Sequence, residues 1–465
     1  MNVIESRYAS QEMREIWSSE AKVRMERQLW IKVLEFQVKH GLDVSDNEIS
    51  DYRSVVESID LESILIRERN LKHDVKARIE EFNYLAGHQL IHLAMTSRDV
   101  TENIEAWQLH KSMLLIRDRA IATLVRFANI AERYSEVVVV ARTHNVPAQL
   151  TTLGKRFATL AEELILALEK LENLIERFPI RGIKGPVGTS QDILDLCGEH
   201  GTEIDVAIAG FLGIEKILVS PSQIYPRSLD FDVISTLFQL ASAPSNLAIQ
   251  IRLMTSLDLA AEGFADSQIG SSAMPHKRNP RSCERINGLT KILGGHLNMI
   301  SGLIGNQWNE GDVSDSSVRR VALADAFYAI DGILITTMDV LDGLFIDTLA
   351  VRDEVFKHLP FLISTKMLLG LVKNGKGRED AYSIVKDITS QLRLNSSTED
   401  IENLSKLLLT DSRLSEIRRD IEVALSDPSL LIGASVRQVT QVVEQIRNLA
   451  LKWPNGAAYQ PPVII

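Results

Sequence analysis

Cysteine is nearly missing from this chain: Cys197 and Cys283 are the only two in 465 residues. Two thiols are too few for a disulfide framework or a cysteine-ligated metal site, and their scarcity fits a reducing cytoplasm. Long uncharged apolar runs are missing too, with no stretch of the about 18 residues needed to cross a bilayer. The opening MNVIESRYAS carries Glu5 and Arg7 where a secretory leader needs an apolar run, so no targeting segment is expected. Excess positive charge is also absent. The net charge of −11 argues against general affinity for nucleic acid. A negatively charged small substrate would have to be drawn in by local cations working against the global field, so individual lysines and arginines near a site carry weight.

Helix patterning is abundant. Leu153, Phe157, Leu160, Leu164, Leu168, Leu171, Leu174 and Phe178 recur at spacings of three and four until Pro179 ends the run. Similar periodic segments occur at about 98–134, 229–264, 281–308 and 317–347, and helices of some 30 residues span roughly 45 Å. Five such rods predict an all-α protein with an elongated bundle, and 45% hydrophobic composition is enough for a large core. Val137 to Ala141 is the best strand candidate, and turn-rich pieces fall at 181–190 and 221–228. Three helical domains are expected: residues 1–96, a central bundle at 97–348, and residues 349–465 with a proline-containing tail from Trp453.

The stretch GSSAMPHKRNP, Gly270 to Pro280, answers to no packing requirement. Gly270 allows unusual backbone angles, Ser271 and Ser272 supply hydroxyls, and Lys277, Arg278 and Asn279 supply donors suited to carboxylates. Residues 265–280 therefore read as a catalytic loop for an anionic substrate. Asn279 and Pro280 read as N-cap and first residue of a helix from Arg281 to Trp308, whose N-terminus would favour anions. A flexible, well-capped connection explains Gly270, Asn279 and Pro280, but not Ser271 and Lys277.

Two histidines sit in polar patterns: His73 in KHD (Lys72 to Asp74) and His144 in RTHNVPAQ (Arg142 to Gln149), the latter between the expected strand and a long helix. His88 and His92 are four apart, as on one helix face, but residue 89 is Gln and no third ligand follows, so no metal site is expected. TSRD, Thr96 to Asp99, reads as a helix start, and Gln223 lies in a turn. WNEGDVSDSSVRR, Trp308 to Arg320, supplies Glu310 together with Ser316, Ser317, Arg319 and Arg320, a set suited to phosphate. A solvated acidic loop before a helix is the plain reading of that segment. A buried Glu310 paired with His144 would instead fix the imidazole tautomer and raise its basicity.

Together these segments resemble the fumarase and aspartase superfamily, and within it the adenylosuccinate lyase family, whose signature SSAMPHKRNP closely matches. SRYAS (Ser6 to Ser10), KHDV, MTSRDVTEN (Met95 to Asn103), THNVPAQLTTLGKR (Thr143 to Arg156), SQIYPRS (Ser222 to Ser228) and GREDA (Gly377 to Ala381) resemble that family's blocks in the family's order. Carboxymuconate cycloisomerases can be nearly identical at the loop, but the other blocks favour the purine enzyme. The resemblance implies a cytoplasmic, all-helical homotetramer without cofactor or metal, each active site assembled from three subunits. The implied reaction is cleavage of adenylosuccinate to AMP and fumarate, and of the succinyl aminoimidazole carboxamide ribotide in the same way, by β-elimination. A carboxymuconate cycloisomerase, or a structural protein that kept the helical tetramer, are the alternatives.

By the same resemblance Ser271 is the base and His144 the acid, with His73 near the leaving nitrogen, Glu310 in a catalytic role, and Lys277 and Asn279 on the carboxylate that gains charge. Arg7, Tyr8, Ser316 and Arg320 would hold phosphate, while Lys72, Asp74, Thr96, Ser97, Gln223, Ser272 and Arg285 would complete the substrate contacts. One departure stands out. Many family members have arginine after the glutamate of the Trp308 block, where this chain has Gly311, and Asn309 replaces a frequent histidine. Arg319 or a neighbouring subunit would supply the missing charge, or the substrate is bound differently.

Overall fold

In the computed structural model, residues 2–263, 274, 277–395 and 401–462 are described. The apolar periodicity is realised as long rods. Helix α1 (Ser97–Arg133) is followed by strands β1 (Val138–Thr143) and β2 (Val146–Thr152) and by α2 (Leu153–Arg177). Then come α3 (Ser228–Leu240), α4 (Ser242–Thr255), α5 (Arg281–Ser301), α6 (Ser316–Gly343) and, near the C-terminus, α7 (Ser435–Lys452).

The 37 residues of α1 give a rod of about 55 Å, and the 28 of α6 one of about 42 Å. The two run side by side in the same direction, since Arg319 meets Glu105, Arg119 meets Asp331 and Arg126 meets Asp342 in step. Helix α5 runs the opposite way, with Arg285 near Asp339, Leu289 beside Gly332 and His296 near Asp325. The bundle thus has a head end, where α1 and α6 begin, and a tail end, where they finish.

Two expected rods are shorter in the structure. The 229–264 segment is two helices with Ala241 at the joint. Pro244 has no N–H and cannot continue a helix, but fits the first turn of a new one. The 281–308 segment stops at Ser301, before Gly305 at φ 69°.

The expected strand is present and has a partner. β1 and β2 form an antiparallel hairpin in which Thr143 opposes Val146, so His144 and Asn145 are the two turn residues. Their φ values of 52° and 60° suit a turn whose twist matches the strands, one that tolerates His and Asn better than β-branched residues. A short pair, Ala260–Ala261 with Phe345–Ile346, ties the chain after α4 to the tail end of α6.

The main core contains the whole Leu153-to-Phe178 stripe of α2, packed with α1, α5 and α6. A second core joins Val355, Leu359, Met367, Leu371, Ala381 and Ile421 from the helices after residue 348. The hairpin links the two, because alternate strand residues face opposite sides: Val139 lies in the first core, Val140 and Leu150 in the second. Val439, Val442, Val443 and Ile446 of α7 return to the first core. Ser316–Gly343 and Thr348–Lys373 are long and apolar enough for a membrane span, but the apolar window of the former is 83% buried within the bundle.

Candidate active site

At the head end, three segments far apart in sequence converge. Lys72, left-handed at φ 54°, closes the helix Leu61–Leu71, and His73 then caps the helix Asp74–Ala86. The His73 Nδ1 accepts the Lys76 amide at 3.2 Å. That bond occupies the Nδ1 lone pair, so the neutral ring carries its proton on Nε2. Nε2 lies 3.5 Å from the Ser97 hydroxyl at the start of α1. Asp74 pairs with Arg320 at 3.2 Å and with Arg78 at 3.6 Å. Burial would raise the Asp74 carboxyl, yet Arg78, the Val75 amide and Arg320 bring it below the usual carboxylate range. Thr96 donates its amide to Asp99 at 2.8 Å, which fixes the entry into α1.

Gln223 and Glu310 reach the same end. The Gln223 amide donates to the Glu310 carbonyl at 3.0 Å, and Arg98 donates to the Asp312 carbonyl at 3.2 Å. Ser316 opens α6 one turn before Arg320. Beneath them is a buried ionic web. Arg227 binds Glu102 at 2.8 Å and also Asp315, while Arg319 donates to Asp230 at 2.8 Å, to Glu105 at 2.6 Å and to the Tyr225 hydroxyl. Burial would raise the Glu105 carboxyl, but Arg319 and Lys22 draw it down to about 2.

This web overturns one expectation. Arg319 is 4% exposed and fully engaged, so it cannot replace the family's missing arginine on a phosphate. Gly311 itself stands at φ 142°, and a Cβ there would lie 3.3 Å from Ile224. An arginine at that position would be strained, which accounts for the glycine.

A second group lies on the flank. Arg7, Tyr8 and Arg285 line a cavity of about 330 Å³ with Arg281 and Glu284, and the Arg285 guanidinium is 5.6 Å from the Tyr8 ring centre. Tyr8 packs against Gly332, where a Cβ would come within 2.9 Å of it. Gly332 is twelve residues along α6 from Arg320, or about 18 Å. The four expected phosphate ligands therefore do not converge within one chain.

The third group is at the tail end. His144 is exposed at the hairpin tip, and Lys277 is exposed beside the helix start, its amide bonded to the Met274 carbonyl at 3.0 Å. Ser271 and Ser272 lie outside the described residues. The start of α5 differs from expectation: Pro280, rather than Asn279, stands at the N-cap. The first amides are occupied by the buried Glu262 carboxylate, which accepts from Ser282 at 3.0 Å and Cys283 at 3.1 Å. The helix start thus holds the protein's own carboxylate, and the residues on either side of the signature segment, Glu262 and Ser282, are clamped together.

Among the described residues no hydrogen bond joins His144 to Glu310, which sit at opposite ends of the bundle. Nor do His88 and His92 share a helix face. The helix ends at Ala86 with Gly87 left-handed, His88 turns to Asp51 at 2.8 Å, and His92, at φ 66°, accepts from Trp30 Nε1 at 3.1 Å. Sequence reasoning set His92 aside, but it lines a cavity of about 380 Å³ with His73, Lys76, Gln89 and Ser97. Burial pushes its imidazole down to about 4, so it is neutral near pH 7. The helix-stopping Gly87 before it was the signal that the two histidines part company.

Solved structures define the class of fold. The 3-carboxy-cis,cis-muconate lactonizing enzyme of Pseudomonas putida superposes with a TM-score of 0.84 at 17% identity, covering 96% of this chain and 99% of its own. A fumarate lyase from Mesorhizobium gives 0.81 at 18%, covering 94% and 98%. Residues 9–294 match the family described as Lyase, and residues 360–442 the one described as Adenylosuccinate lyase C-terminus. The adenylosuccinate lyase of Schistosoma mansoni is 31% identical over 94% of this chain and 93% of its own length, and that of Saccharomyces cerevisiae 31% over 97% and 95%. The chain belongs to the adenylosuccinate lyase family.

Proposed function

We propose that the protein is a cytoplasmic carbon–nitrogen lyase of purine nucleotide biosynthesis. It cleaves adenylosuccinate to AMP and fumarate, and succinyl aminoimidazole carboxamide ribotide to aminoimidazole carboxamide ribotide and fumarate. Identity of 31% over nearly the full length to adenylosuccinate lyases supports the substrate. The observation that carries the chemistry is the head-end cluster, where His73, Ser97, Asp74 and Arg320 meet across 246 residues of sequence.

The reaction removes a proton beside a carboxylate and protonates the departing nitrogen. Its intermediate is an electron-rich carbanion whose charge spreads into that carboxylate. Ser271 is the base, and Lys277 and Asn279 bind the carboxylate more strongly as its charge grows. His144 is the acid, and Glu310 orients it. His73, with its proton on Nε2, donates a hydrogen bond near the leaving nitrogen. Lys72, Asp74, Thr96, Ser97, Gln223, Ser272 and Arg285 complete the substrate contacts, and Arg7, Tyr8, Ser316 and Arg320 hold the phosphate. No cofactor enters this scheme, and neither nucleic acid nor membrane is a partner.

These residues lie in three separate groups on one chain, so the scheme requires several copies. A homotetramer in which the tail end of one bundle meets the head end of another supplies them. The apolar Phe238, Ile249, Leu253, Ile292 and Met299, exposed on α3, α4 and α5, support burial of that wall against another subunit.

The test is incubation with adenylosuccinate and chromatography of the products, with Ser271→Ala as the blank. Equimolar AMP and fumarate are expected. The substitution should lower turnover by about 10²- to 10⁴-fold, the range for a lost general base, and an intact protein that releases neither product contradicts the proposal.

A further inference from the structure

A cavity of about 870 Å³ is lined by none of the residues placed in the reaction scheme. It lies at the tail end between the hairpin, the start of α2 and the end of α4. Three cations converge there, Arg142, Lys155 and Arg156, against one carboxylate, Glu354. Glu354 is already taken by Arg142.

Arg156 is the informative one. Its guanidinium donates to the Val140 carbonyl at 3.1 Å and to the Met254 sulfur at 3.4 Å. Among the described residues neither Lys155 nor Arg156 has a carboxylate within ion-pair distance, Lys155 being bonded to the Thr159 hydroxyl at 3.1 Å. Burial pushes the Arg156 guanidinium below its ordinary value, Glu354 opposing and Arg142 adding to the effect. A mostly buried cation without a counterion is costly, and an anion in the cavity removes that cost.

The rest of the lining narrows the anion. Met254, Leu257 and Leu259 make one wall apolar. Guanidinium and ammonium groups together suit a dianionic phosphoryl group. We infer that this cavity is a second ligand site, which takes a phosphate monoester with an apolar body, as in a nucleoside monophosphate. Arg142 and Asn145 flank the Thr143–His144 tip, so the occupant bears on the position of His144 through the hairpin.

Equilibrium dialysis of the full-length protein against labelled AMP tests this, with inorganic phosphate and fumarate as competitors. The wild type should bind two equivalents per chain, one at the proposed active site and one here. Arg156→Gln and the rim variant Lys155→Gln should each weaken one equivalent at least about tenfold, as expected for loss of a charged hydrogen bond, whereas Arg320→Gln should weaken only the other. If the reaction scheme alone is wrong, a single equivalent remains and still depends on Arg156. A thermal melt checks that each variant is folded. AMP binding unchanged in both Arg156→Gln and Lys155→Gln overturns the inference, as does competition by fumarate as strong as that by phosphate.

Discussion

Arg319 and Arg320 are neighbours with opposite duties. Arg319 is the centre of a buried web, and removing one partner of such a web leaves the rest uncompensated. Arg319→Gln should therefore cost about 3–5 kcal/mol in denaturant unfolding. The exposed Arg320→Gln should leave stability nearly unchanged and instead raise KM for adenylosuccinate. Equal destabilisation by the two would refute the division. His92 makes a pH prediction. Its folded-state value of about 4 lies below the ordinary 6.5, so the unfolded chain binds more protons between these values. Its contribution to stability is complete above about pH 6.5 and is lost as pH falls towards about 4. His110 is shifted the same way to about 4. Melting temperature should fall through this window, and His92→Asn should flatten the fall; an unchanged pH profile in the variant would contradict the assignment. Residue identities were legible where chemistry is local, as in KHD and TSRD. The duty of Arg319 was not, because its partners Glu105 and Asp230 are 214 and 89 residues away.

Among the elements, α1 and α2 were readable almost to the residue, because their apolar stripes run unbroken to a clear stop. The break at Ala241 was missed since apolar periodicity continues on both sides of it. The second hairpin strand was hidden by its own boundary: Thr152 ends β2 and also caps α2, its hydroxyl accepting the Lys155 amide at 3.2 Å. The cap of α5 was out of reach for a different reason, as Glu262 lies 20 residues before the amide it binds. Glu262→Ala should cost about 1–2 kcal/mol, as for loss of an N-cap. It should also lower turnover, since the clamp at the base of the signature segment positions Lys277. Unchanged turnover in a measurably destabilised variant would leave Glu262 with a capping role only.

For the whole molecule, the direction of the rods decides what one chain can do. Parallel α1 and α6 put His73, Ser97, Gln223, Glu310 and Arg320 at one end, while the hairpin and Lys277 are at the other. A sequence reveals the blocks and their order, but not the separation of about 55 Å along α1. We propose that association of copies brings the two ends together. The most direct test mixes two inactive variants, His73→Gln and His144→Gln, after dissociation and reassembly. If each site draws these histidines from different chains, about a quarter of the sites regain both in an equal random mixture. Adenylosuccinate cleavage should then reappear at about that fraction of wild-type activity; a mixture as inactive as its parts, with hybrids confirmed by mass, would contradict the shared site.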